Sequence, residues 1–208
     1  MQAKRVLFVL LIVVFSASGK KPRVQDTSTV ILRIDVGHTF STVMNAETSK
    51  LLKVVNMDTN AVGKWYVYNW GTSVGNQNRH TYTYWATADV PPGRYLVTHY
   101  LEMIVEGATS LASLGEPWHT AGQEVRYELT VPKANVAIFY GTIVLPDCCW
   151  KTRLGMIVGP KATGTASQIV PANIDDTVQD YYQHQKAKFL TRRSELIAGE
   201  IKQEELPK

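Results

Sequence analysis

Pro91-Pro92-Gly93 is the stretch that most limits what this chain can fold into. Proline fixes φ and has no N–H to donate, and the following glycine accepts the positive φ of a tight turn, so neither a helix nor an unbroken strand passes through. On one side stands the aromatic run Thr81-Tyr82-Thr83-Tyr84-Trp85, and on the other a run from Arg94 to Ile104. Both are made of strand-favouring residues. A chain that alternates such stops with short β-rich runs predicts an all-β domain.

The other runs agree. Val30, Leu32, Ile34 and Val36 alternate with Ile31, Arg33 and Asp35, which gives one apolar and one mixed face. Thr39–Met44, Leu51–Met57 and the aromatic Lys64–Trp70 follow, with turn chemistry from Asp58 to Gly63. Residues 71–80 and 107–122 read as loops. Val125, Tyr127, Leu129 and Val131 alternate again, and Pro132-Lys133-Ala134-Asn135 breaks that run. Val136–Leu145 is almost continuously apolar and predicts a central strand covered on both faces. With Trp150–Val158 this makes eight or nine short strands. The expectation is an antiparallel β-sandwich of about eight strands over residues 30–159.

The two ends of the chain differ from this middle. Lys4 and Arg5 precede an unbroken apolar run from Val6 to Phe15, and Ser16-Ala17-Ser18-Gly19 offers small residues for cleavage, so residues 1–19 read as a secretory signal. An apolar stretch that short falls below the roughly 20 residues a spanning helix needs. Export to the periplasm, the cell envelope or the medium is expected, with membrane contact only through an uncleaved N-terminus. Residues 20–29 form a polar tether. Residues 160–174 read as a linker, and residues 175–206 as a C-terminal helix opened by Asp175, Asp176 and Asp180. Val178, Tyr181, Tyr182, Gln185, Phe189, Leu196, Ile197 and Ile201 give it a loose apolar stripe, which either packs on the β domain, or leaves the helix a solvated arm, or docks an envelope protein partner or a membrane surface. Loss of Lys4 and Arg5 would leave 20 basic against 18 acidic residues, an excess too small to imply a nucleic-acid partner.

The segments Asp89-Val90-Pro91-Pro92-Gly93-Arg94-Tyr95-Leu96-Val97, Tyr127-Glu128-Leu129-Thr130-Val131 and Tyr140-Gly141-Thr142-Ile143-Val144 carry a resemblance. Over residues 28–158 the chain resembles bacterial envelope proteins of unknown function that have a carboxypeptidase-regulatory-like or transthyretin-like β-sandwich. The resemblance implies a fold and a compartment. It transfers no catalytic residue, and the C-terminal helix and the cysteine pair depart from it.

Chemistry-bearing patterns are few. Cys148 and Cys149 are adjacent and leave three states open: a vicinal disulfide, two thiols, or bridges between chains. His38, His80, His99, His119 and His184 are dispersed, and no Cys-x-x-Cys or His-x-x-x-His spacing suggests a metal. Ser110 or Ser113 with His119 and Asp89 would make a hydrolytic triad on paper, without a Gly-x-Ser-x-Gly elbow to support it. No catalytic set, metal or cofactor is expected. The aromatic strands are the candidate binding residues: Tyr66, Tyr68 and Trp70 share one face by the period of two, and Tyr82 and Tyr84 share another. On neighbouring strands they would form one platform for sugars or a protein if that face is wet, and ordinary cross-strand packing of the sheet if it is not. The expected function is a non-enzymatic envelope component for interaction or assembly, with a glycan- or peptide-binding module as the alternative.

Overall fold

In the computed structural model, residues 26–38, 48–69, 74–76, 79–104, 119–146, 148–153, 156–160, 166–188, 193 and 195–204 are described. The residues read as a signal and most of the tether lie outside them. The strands are β1 (Ser28–His38), β2 (Thr48–Asn56), β3 (Val62–Asn69), β4 (Val74–Asn76), β5 (Arg79–Val90), β6 (Gly93–Ile104), β7 (His119–Val131) and β8 (Ala137–Leu145). After these come β9 (Trp150–Arg153), β10 (Met156–Pro160), β11 (Gln168–Val170), helix α1 (Asp176–Lys188), β12 (Leu196–Ala198) and β13 (Ile201–Gln203).

The fold is mainly β, but it is not the antiparallel sandwich that strand spacing suggested. One mixed sheet runs β11, β8, β1, β5, β3, β2, β6, β7, β13, with β12 on β8 and β4 on β5, while β9 and β10 form a separate ribbon. Strand β8 lies parallel to β1, and β12 parallel to β8; the other pairs are antiparallel. Residues 196–203 bond to β8 through their first half and to β7 through their second. The sheet therefore curls nearly into a barrel. Spacing and alternation cannot tell a curled sheet from two stacked ones, because both give each strand one apolar face.

The alternating residues of β1 behave as read. Val30, Leu32, Ile34 and Val36 point into a common interior with Leu52, Trp65, Tyr84, Val97, Tyr100, Tyr127 and Ile138, all buried. Each such large side chain withdrawn from water stabilises the fold by roughly 1.5–3 kcal/mol. Strand β8 is buried almost throughout, as its unbroken hydrophobicity predicted. Its inner residues join the interior, and Ala137 and Phe139 meet Ile31, Trp85 and α1 on the outside.

At Pro91-Pro92 the chain stops but does not fold back on itself. Strands β5 and β6 are separated in the sheet by the β3 and β2 pair, so the proline step arches over that hairpin. Gly93, at φ +152°, faces the hairpin turn: a Cβ there would come 2.8 Å from Asp58 Oδ2. The Asp58 carboxylate accepts the Arg94 N–H at 2.9 Å, and Met57 N–H donates to Arg94 O at 2.8 Å. Turn and arch are thus tied at one end of the barrel.

The C-terminal region corrects the expectation most. Helix α1 begins where the aspartates placed it, with Asp175 Oδ1 accepting the Val178 N–H at 2.9 Å as an N-cap. It ends at Lys188 rather than continuing to residue 206. Leu196, Ile197 and Ile201, read as helical stripe, lie in extended strands instead. The reason is tertiary: an extended chain there satisfies backbone groups on β7 and β8 that would otherwise be left at open edges. Gly199 permits the passage, since a Cβ would fall 2.5 Å from the Tyr140 ring, and its N–H donates to Phe139 O at 2.8 Å. The predicted linker also contains structure, because β11 pairs with β8.

Arg193 anchors this return. Its side chain is buried and donates to Thr27 O at 2.6 Å, Thr27 Oγ1 at 2.9 Å, Thr29 Oγ1 at 2.9 Å and Asp89 Oδ1 at 2.7 Å. A buried guanidinium costs free energy unless all its donors are used in this way.

Candidate binding surfaces of the barrel

Strand β3 has two unlike faces. Trp65 and Val67 point inward and are buried, while Lys64, Tyr66 and Tyr68 point outward. Tyr66 is 57% exposed and Tyr68 56%, although large aromatic side chains usually find cover. Trp70, the third residue of this row, lies outside the described residues. Strands β3 and β5 are neighbours, as the platform required, with Tyr68 opposite Trp85. The two tyrosine sets nevertheless lie on opposite sides of the wall. Tyr84 is buried and Tyr82 half-buried inside, their rings stacked at 6.3 Å. A single platform does not form: Tyr66 and Tyr68 face solvent, and Tyr82 and Tyr84 face the interior.

Leu51, which faces Tyr66 from β2, is buried, and the next outward row along the two strands is basic. Lys64 on β3 pairs in register with Lys53 on β2, and both are exposed. Like charges directly opposite on an antiparallel pair repel each other. Neither lysine has an ion-pair partner among the described residues. The row continues through His99 on β6 to Glu124 on β7.

A second cluster, absent from the sequence reading, lies inside the barrel at the end where β2 begins and β6 finishes. Lys50 and Glu102 are register partners on β2 and β6. Glu102 is 2% exposed and accepts the Tyr100 hydroxyl at 2.7 Å, while Lys50 Nζ stands 4.7 Å from the centre of the Tyr84 ring. Burial lowers the Lys50 ammonium pKa against the opposing pull of Glu102. Burial, then the charge of Glu102, raises the hydroxyls of Tyr84 and Tyr100. The available signal was a charged residue on the apolar phase of a strand: Lys50 keeps step with Leu52 and Val54, and Glu102 with Tyr100. The opposite end holds a small cleft of about 190 Å³ among Val54, Val62, Trp65, Val90, Pro91 and Tyr95. Asn56, at its edge, spends its carbonyl on Asp58 and Thr59 N–H groups.

Cys148 and Cys149 are joined to each other as a vicinal disulfide and are buried against the interior. The triad drawn on paper is not assembled. Asp89 stands at the Pro91 end of β5 and is bound to Arg193, His119 begins β7 at the other end of the barrel, and Ser110 and Ser113 lie outside the described residues. No group of His, Cys, Asp and Glu with metal-ligand geometry occurs among the described residues. Nor is any helix among them long and apolar enough to cross a membrane.

Comparison with known proteins finds no matching family model, no matching curated protein and no matching solved structure.

Proposed function

We propose that this chain is an exported, non-enzymatic binding protein of the cell envelope whose contact surface is the outer face of β3. The observation that carries this reading is the exposure of Tyr66 and Tyr68 on a strand whose other face is core. Aromatic rings left open to water on a rigid sheet supply contact area at little cost in ordering. Export rests on the charged, apolar and small-residue pattern of residues 1–19.

The docking helix is the weaker reading. Val178, Tyr181 and Tyr182, the apolar residues of α1 among its described side chains, are buried against Ile31, Trp85 and Phe139, so that face is already occupied. The test compares purified wild type with a Tyr66→Ala/Tyr68→Ala variant in capturing material from an envelope extract and from glycan and peptide arrays. Capture lost in the variant supports the surface. Undiminished capture by the variant rules it out.

A further inference from the structure

We infer that the β3 and β2 outer face takes an acidic carbohydrate, a polymer carrying carboxylate, sulfate or phosphate on its sugar rings. This rests on the contact surface proposed above and adds the chemistry of its occupant. Lys64, Tyr66 and Tyr68 stand in one outward row, spanning about 13 Å at the rise of a strand. Lys53 faces Lys64 across the sheet, roughly 5 Å away between Cβ atoms. Two like charges so placed, with no acidic partner among the described residues, create a local positive field that a bound anion relieves. Glu124, the acid of the same row, is two strands from Lys53, about 10 Å away and beyond direct pairing.

Both features are needed to select the ligand. Rings alone would stack a neutral sugar through its C–H face, and lysines alone would attract any anion. Side by side they suit a chain that offers flat apolar faces and charge together. Among the described residues the strip comprises four side chains, Lys53, Lys64, Tyr66 and Tyr68, against the roughly 20–30 residues per side of a stable protein interface. Apart from Tyr66 and Tyr68, the exposed large apolar side chains among the described residues are Val62, at the turn end of β3, and Val170 on β11. A strip of this kind suits a slender polymer.

The experiment measures binding of the full exported chain to a galacturonate hexamer, a neutral glucose hexamer and poly-glutamate, each at several salt concentrations. The expected result is a preference for the galacturonate hexamer that salt erodes. Lys53→Gln/Lys64→Gln should weaken that binding by between about twofold and thirtyfold and leave the neutral sugar unaffected. Tyr66→Ala/Tyr68→Ala should lose both sugars, with circular dichroism unchanged. Equal binding of acidic and neutral hexamers, indifferent to the lysine variant, would overturn the acidic class while leaving the tyrosine surface intact. Tighter binding of poly-glutamate that ignores the tyrosine variant would overturn it in favour of an acidic polypeptide. Binding of no sugar by the wild type overturns it too; whether the surface reading falls with it is decided by the envelope-extract capture.

Discussion

Trp85 and Tyr68 are cross-strand partners on the outer wall of the same barrel, yet Trp85 is fully buried and Tyr68 is 56% exposed. The difference lies in what stands over them. Helix α1 covers Trp85, stacking Tyr181 on it at 4.2 Å and 11° between planes, and Tyr181 shares a hydrogen bond of 2.7 Å with Thr87. Among the described residues no such element covers Tyr68. Part of the outer wall has thus become a second small core, while Tyr66 and Tyr68 remain at the surface, from residues of the same kind in the same kind of strand.

Substitutions on the two parts should separate them. Trp85→Ala removes the centre of the covered part and should cost about 3–5 kcal/mol in chemical denaturation. A loss as small as that of a surface change would mean that α1 does not pack there in solution. Asp89→Ala takes one partner from the buried Arg193 that holds the chain's return beneath the covered side, with an expected cost of about 1.5–3 kcal/mol. If stability does not change, the clamp is absent.

Alkaline pH should act through the covered side as well. Burial pushes the Tyr181 hydroxyl up to about 12, against the opposing pull of its hydrogen bond to Thr87, and raises Tyr84, Tyr100, Tyr127 and Tyr140 in the interior. A raised folded pKa means that the stabilisation is complete below the ordinary value of 10 and is lost as pH climbs towards the folded one. Denaturation midpoints should therefore hold to about pH 10 and fall above it, less steeply in Tyr181→Phe. A midpoint rising between pH 10 and 11 would contradict the burial of these hydroxyls.

The smallest effects belong to the bare side. Lys64→Glu replaces a repelling pair with an attracting one and should raise stability by about 0.2–1 kcal/mol while weakening acidic ligands. Tyr68→Ala should shift stability by no more than about 0.5 kcal/mol. A larger loss would show that Tyr68 is packed, and the contrast with Trp85 would vanish.

The sequence carried the inner face of the barrel well, because burial repeats every second residue: Val30 to Val36 and Val125 to Val131 were legible on that ground alone. It could not say which side of β3 or β5 was wet, since Trp65, Tyr66, Val67 and Tyr68 are all strand-favouring and the alternation has no sign. A helix reaching residue 206 is the expectation from sequence for a related reason. Leu196, Ile197 and Ile201 fit a helical stripe, and only their long-range pairing with β8 and β7 makes them strands. Lys50 and Glu102 are not legible as a pair inside the barrel, because each looks like an ordinary surface charge until its neighbours in the strand are known to face inward.

The stave formed by residues 196–203 sets an order in time. Strands β7 and β8 are made long before the segment that seals them, and β1 must wait more than a hundred residues for β8. Until residue 203 has emerged, the seam stays unzipped, with bare strand edges that could recruit a neighbouring chain. Closure of this barrel therefore depends on distant pairings, which form slowly, and β12 and β13 act as its latch.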